Sequence, residues 1–305
     1  MNNAILTLAS GYSFEDLRVF ITSLNKTGFN GVLYLIIKEP VVIPDHLQPG
    51  YTIIQKREDN IKVDTRKFKT GLAEIYNRYR RRKITKALLT RLTKNGFSDI
   101  GVVDRFVHLY HCQLSRFALY LKILQEAQYD HILLTDSRDV YFQKDPFESI
   151  QQKALFAFME DNRYTIKERW YNRQWIKIAV GNANYEKVKD RPVFCSGTIL
   201  GDYNSVVKFL ETFIIKTLEY NVPFDIKGID QGLYNFLIHT NELSNLVPIP
   251  NQQLIMTVST YNSNDKVIVK DFIYNDDLTI PAVVHQYDRK NELIKFIVEK
   301  TNKFS

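Results

Sequence analysis

Two carboxylates three residues apart, Asp136 and Asp139, stand between two apolar runs, His131-Ile-Leu-Leu-Thr135 and Val140-Tyr141-Phe142. A short apolar run that stops at an acidic turn reads as a buried strand of an α/β sheet, and in such sheets ligands gather at the carboxyl ends of strands. On a continuing strand, residues three apart would point to opposite faces. If the chain turns at Asp136, as Asp at the first turn position favours, both carboxylates face one point. There they repel each other unless a cation lies between them, and a hard divalent ion with oxygen ligands is the natural occupant. An Asp used as a turn former, with the second Asp solvated, explains the same four residues. Acids between buried strands cost free energy without a partner, which counts against that simpler explanation, and the residues alone leave both open.

Other residues of chemical interest are ordinary when taken singly. Asp230, in Gly228-Ile229-Asp230-Gln231, is predicted at the start of a helix, where its default role is a cap worth ~1 kcal/mol. In Phe194-Cys195-Ser196-Gly197-Thr198-Ile199-Leu200-Gly201, Gly197 lets a ligand approach the backbone and Ser196 offers a hydroxyl, but a glycine kink in a buried strand accounts for both. His285 follows the apolar residues Ala282-Val283-Val284, a place where a lone histidine is usually structural, and Arg289 just beyond it could reach a phosphate. No glycine fingerprint for a dinucleotide and no phosphate-binding loop of the P-loop type is present, which argues against NAD-linked and ATP-hydrolysing chemistry.

The stretch Ile132-Leu-Leu-Thr-Asp-Ser-Arg-Asp-Val-Tyr-Phe142 resembles the acidic metal-binding motif of GT-A glycosyltransferases. The usual form is Asp-x-Asp. Here Asp136-x-x-Asp139 has Ser137 where the first acid normally stands, a variant similar to the Asp-Ser-x-Asp-Val motif of collagen-type glycosyltransferase domains. Three further matches follow in the family's order. The 194–201 strand resembles the Asn-Ser-Gly strand lining the sugar pocket, with Cys195 in place of Asn. Gly228 to Asn235 resembles the Asp-Gln helix start, and Ala282 to Arg289 looks like the C-terminal strand whose histidine is the third metal ligand.

The resemblance covers most of the chain except the basic segment and Asn162 to Tyr185. It implies a GT-A, Rossmann-like α/β domain over 1–305, with a mixed, mostly parallel central sheet flanked by helices and a basic helical insertion at about 62–96. It implies a metal site of Asp136, Asp139 and His285. Asp139 is the ligand the motif places most directly; Asp136, displaced by one residue, either binds the metal or contacts ribose or a metal-bound water. Two Asp and one His favour manganese over magnesium, because imidazole suits the hardest ion poorly. Asp230 is then the catalytic or sugar-binding carboxylate. Thr7, Ala9, Ser10, Gly11, Tyr12, Arg116, Ser137, Arg138, Ser196, Gly197, Gln231 and Arg289 are the residues expected around a nucleotide-sugar donor, with a UDP-sugar preferred. The Asp-Gln pair resembles retaining members, so retention is preferred to inversion. The acceptor would be a glycan or a lipid-linked hydroxyl.

The elements that must position these residues follow from periodicity. Ala4 to Leu8 predicts a first strand, Ser13-Phe14-Glu15-Asp16 a capped helix start, and Leu17, Phe20, Ile21 and Leu24 its buried stripe. Val32 to Ile37 is a nearly continuous apolar strand of the type covered on both faces, and Tyr51 to Ile54 is another. Arg66 to Lys94 predicts one or two amphipathic helices ending near Asn95-Gly96. Val107 to Gln125 predicts one helix leading into the strand before Asp136. Leu155 to Met159 predicts a strand, Asn162 to Tyr185 a polar, aromatic stretch, and 194–201 a strand broken by glycines. Helices are expected from about Asn204 to Tyr220 and from Asp230 to Ile238, and strands at Val267 to Val269 and Ala282 to His285.

Bulk properties narrow the class. The 305 residues are 45% apolar and 25% charged, as in ordinary globular proteins, and two cysteines do not make a disulfide framework. The net charge is +7, yet Lys62 to Lys94 alone holds twelve Lys/Arg against two acids, a local +10 that leaves −3 for the rest. That points to a local patch and not to a nucleic-acid-binding protein. A solvated helix face, contact with anionic lipid and docking of an anionic glycan all suit it. The N-terminus lacks the pattern of a signal peptide and no apolar run could span a bilayer, so the expected location is cytoplasmic, with peripheral membrane contact through the basic segment. A nucleotidyltransferase, or a nucleotide- or glycan-binding protein without turnover, would share the acidic pair.

Overall fold

The computed structural model describes residues 2–47, 49–63, 72–258 and 267–302. Its elements begin β1 (Ala4–Leu8), α1 (Phe14–Lys26), β2 (Val32–Ile37), β3 (Thr52–Arg57), α2 (Leu72–Asn95), α3 (Ile100–Leu109) and α4 (Cys112–Glu126). They continue with β4 (His131–Thr135), β5 (Val140–Phe142), β6 (Leu155–Met159), α5 (Trp170–Val180), α6 (Asn182–Val188), β7 (Phe194–Asp202), α7 (Tyr203–Glu219) and α8 (Ile229–His239). Last come β8 (Leu246–Ile249), β9 (Ile255–Thr257), β10 (Ile268–Val269), β11 (Ile273–Tyr274), β12 (Val283–His285) and α9 (Asn291–Asn302).

The main sheet has seven strands in the order β3-β2-β1-β4-β7-β6-β8. Its neighbours pair in parallel except β7, which runs against both β4 and β6. The fold is therefore α/β with a mostly parallel mixed sheet, compatible with a Rossmann-like arrangement. The apolar runs of β1, β2 and β4 are buried on both faces. In β1, Ala4 and Leu6 pack into a core shared with α3, α4, α7 and α8, while Ile5 packs on the other side with Leu17 and Phe20 of α1. Burying one such large side chain contributes roughly 1.5–3 kcal/mol, which explains why these strands lack the polar alternation of a solvated sheet. A second sheet, β5-β12-β9, continues the chain beyond Asp139 and packs with α9 through Val284, Leu293 and Ile297.

Local signals hold where the chemistry is local. Ser13 caps α1 in a reciprocal capping box with Asp16, and Gly96, at φ +68, follows α2 with its N–H on Leu92 O. Three expectations change. The predicted helix from Val107 divides into α3 and α4 at Tyr110-His111, because His111 N–H donates to Phe224 O and Cys112 N–H to Lys62 O, each at 2.7 Å. These tertiary bonds replace the intrahelical ones. The strand 194–201 is unbroken and runs to Asp202; Gly201 is needed for proximity, since a Cβ there would lie 2.7 Å from Ala154 O. The stretch 162–185 contains α5 and most of α6. In α2, Leu88 and Leu92 are buried and Ile84 packs against the same core, while Tyr79 is 58% exposed. The part of the basic segment at 64–71 lies outside the described residues. Among the described residues, no helix is long and apolar enough to cross a membrane.

Candidate functional site

The topology sends several chain segments to one edge of the main sheet. β1, β4 and β6 are mutually parallel, so their carboxyl ends emerge together, and antiparallel β7 begins where they end. Asp136 follows β4 and extends its pairing by donating its N–H to Gly197 O at 2.9 Å. The chain then turns, held by Ser137 Oγ donating to Leu8 O at 3.2 Å, and enters β5. Because Val140 pairs with His285 and Gln286 N–H donates to Asp139 O at 2.7 Å, the second sheet brings Asp139 against His285. A one-residue slip in that pairing would turn His285 to the opposite face.

The result is a compact cluster. His285 Nε2 lies 3.4 Å from Asp136 Oδ2 and 3.9 Å from Asp139 Oδ1, and one ligand atom from each of the three residues lies within 4.8 Å of the others. Gly197 keeps the space open: a Cβ there would sit 2.6 Å from Asp136 Oδ2 and 2.7 Å from His285 Cε1. Behind the cluster, buried Arg116 of α4 joins the acids. One guanidinium nitrogen donates to Asp136 Oδ1 at 2.5 Å, and the other donates to Asp230 Oδ2 at 2.9 Å and to Ser196 O at 3.0 Å. Ser196 Oγ also donates to Asp230, at 3.1 Å.

Burial pushes Asp136 up, but the Arg116 guanidinium and the His285 imidazole outweigh it and hold its carboxyl down at about 2. At Asp139 the balance falls the other way: burial, with help from Asp136 and Asp288, outweighs the His285 imidazole and Arg138 and raises its pKa. Burial likewise raises Asp230 despite Arg116. Burial opposes charge on His285, yet Cys195, Asp136 and Asp139 together lift it well above the ordinary histidine value. The pair of acids thus demands positive charge at His285 Nε2, and that atom is fully buried with no hydrogen-bond partner among the described residues. A divalent cation would answer the same demand. Two carboxylates and an imidazole form a donor set suited to a manganese-like ion, and the chain's own atoms fit one.

The residues expected around a donor mostly reach this edge. Ser10 and Gly11 follow β1; Ser10 Oγ is buried without a hydrogen-bond partner among the described residues, and Gly11 takes φ +81. Tyr12 is half-buried and feels Arg138, Asp136 and Asp139. Arg138 and Arg289 both lean on Asp288, at 3.2 and 3.5 Å. Thr7 and Ala9 are fully covered, so their side chains offer no accessible surface. Arg116 points inward as a strut between acids instead of outward. Asp230 is not the cap that an isolated helix start would make it: Gly228, at φ +80, is the N-cap, and the Asp230 carboxylate is engaged by Arg116 and Ser196.

No motif in the sequence marks Glu160. It directly follows β6, just as Asp136 follows β4, and an acid after an apolar strand was its available signal. It is buried, and Gln231 Nε2 donates to its Oε1 at 2.9 Å and to Asn172 Oδ1 at 2.9 Å. Together with Trp175, these side chains line a pocket beside the cluster. No family model matches the chain, and no curated protein matches it.

Proposed function

We propose that this chain is a metal-dependent glycosyltransferase of the GT-A fold, moving a sugar from a nucleoside-diphosphate sugar to a hydroxyl acceptor. The observation that carries the reading is the cluster of Asp136, Asp139 and His285, with an orphaned buried Nε2, at the carboxyl edge of a mostly parallel α/β sheet. Asp136, Asp139 and His285 would hold the cation, which when bound neutralises charge on the diphosphate as a Lewis acid.

The rest falls to the chain's own side chains. Ser10, Gly11 and Tyr12, at the end of β1, would receive the nucleoside. Asp230, fixed by Arg116 and Ser196, would orient the sugar hydroxyls, and Gly197 would let the ligand approach the backbone. The bond from the anomeric carbon to the diphosphate oxygen breaks as the acceptor oxygen bonds to that carbon, and the acceptor's proton leaves on the departing diphosphate. Asp230-Gln231 favours retention, as in the retaining enzymes that the pair resembles, and a UDP-sugar is the preferred donor.

The test is nucleoside-diphosphate release from a panel of nucleotide-sugars, with manganese and with chelator, for the wild type and Asp139→Ala. Release should need the metal and fall about 10²-fold or more in the variant. Manganese titration followed by electron paramagnetic resonance should show tight binding that the variant loses. Undiminished transfer by a folded Asp139→Ala protein would overturn the proposal.

A further inference from the structure

The chain has two tryptophans, Trp170 and Trp175, and both line one pocket of about 340 Å³. That pocket touches the acidic cluster twice along the backbone: Gln231 follows Asp230, Gln286 follows His285, and both glutamines line it. We propose that it is a binding subsite for an uncharged carbohydrate, the glycan end whose hydroxyl accepts the transferred sugar; that acceptor role rests on the transferase reading, whereas the binding itself does not.

One wall is aromatic and open. Trp170 is 58% and Tyr171 64% exposed, although both are large rings at the start of a helix. Tyr171 packs edge-on to Trp170 at 4.9 Å and stacks on Trp175 at 5.6 Å, so the three rings form a continuous shelf. Adjacent exposed rings of this kind mark an interaction surface. The negative face of an aromatic ring attracts the weakly positive C–H face of a sugar.

The other wall is polar and fixed. Gln231 spends both amide hydrogens on Glu160 and Asn172, and its Oε1 accepts from Ser196 N–H at 3.4 Å. That leaves Glu160 Oε2 and Asn172 Nδ2 with no hydrogen bond to the described residues, and Gln286 Oε1 is buried and likewise unpartnered among them. Two acceptors and one donor match sugar hydroxyls, which donate and accept at once. The charge balance selects among sugars. Among the described residues the pocket's lining holds a single cation, Arg169, against Glu160 and Glu168, so uronates and sugar phosphates find no surplus of positive charge there. The volume lies at the small end of ligand sites, sized for sugar rings and not for a protein face.

Because no tryptophan lies elsewhere, intrinsic fluorescence reports on this pocket. The full chain is titrated with the methyl glycosides of glucose, galactose and N-acetylglucosamine and with neutral disaccharides, in chelator and without nucleotide. A saturable change is expected with at least one of them, weakened roughly two- to tenfold by Tyr171→Ala or Trp170→Ala. Glu160→Gln should weaken it about tenfold. The first two side chains are exposed, so circular dichroism should be unchanged. No response to any neutral sugar, an equal response in the variants, or tighter binding of glucuronate or glucose phosphate overturns the subsite. Metal-dependent donor cleavage without sugar binding would likewise remove the subsite and leave the transferase standing. Sugar binding without any donor cleavage would keep the subsite and remove the transferase.

Discussion

Arg116 decides more at the residue scale than its burial suggests. Among the described residues it is the one cation bonded to both Asp136 and Asp230, and it also holds the Ser196 carbonyl. Breaking a buried pair from one side strands a carboxylate, which costs about 3–5 kcal/mol. Arg116→Met should therefore lower unfolding stability by that amount in urea, and Arg116→Lys should restore only part of it, because an ammonium cannot span both acids as a guanidinium fork does. Glu160 makes an opposite prediction. Burial raises its pKa, so the folded state holds its proton more tightly than the unfolded chain does. Stability then falls as pH rises from the ordinary carboxylate range through the folded value. Glu160→Gln should flatten that decline and raise the melting temperature at neutral pH; a lower melting temperature would mean that the charged form is the one the fold prefers.

At the scale of elements, the contact between α5 and α8 sets the distance between the aromatic shelf and the acidic cluster. Gly232 of α8 faces the Trp175 backbone of α5, where a Cβ would lie 2.5 Å from the carbonyl carbon and 2.7 Å from its oxygen. Neither helix can yield without moving Trp175 or Asp230. Gly232→Ala should cost about 1–3 kcal/mol through overpacking. It should also shift tryptophan emission to the red as α5 is pushed outward. Gly197 has a related role nearer the centre, where a side chain would collide with Asp136 and His285.

For the whole molecule, charge is the property that no single element explains. The described face of α2 exposes Arg78, Arg80, Arg82, Lys83 and Lys86, while Arg81 reaches inward to Asn221 O at 3.0 Å. Such a stripe produces a field that salt screens within about 10 Å at 0.1 M. Replacing Arg80, Arg82, Lys83 and Lys86 by Gln should bring elution from a cation exchanger to clearly lower salt. The unfolding midpoint should stay within about 0.5 kcal/mol of wild type, because these side chains are exposed. Vesicles containing anionic phospholipid would test whether this stripe also serves as a membrane contact: if it does, the wild type should sediment with them at low salt and the variant should not.

Sequence by itself determined the strands β1, β2, β4, β5 and β6 and the cap of α1. Each depends on neighbours a few residues away: an unbroken apolar run, or a serine placed three residues before an acid. It also marked Asp136, Asp139 and His285 as metal-binding candidates, through the order of short motifs. Tertiary structure alone decided that these three face one another, because that depends on β5 and β12 pairing in one register across distant parts of the chain. The role of Arg116 was equally hidden, since a buried arginine on a helix leaves no periodic trace. Asp230 by its own position reads as a cap and only the resemblance makes it a functional carboxylate; its ion pair with Arg116 comes from the fold alone. Glu160 and the tryptophans of α5 belong to the same group: only the parallel course of β6 with β4 carries Glu160 to the sheet edge where Asp136 stands, and only the packing of α5 on α8 sets the rings beside it.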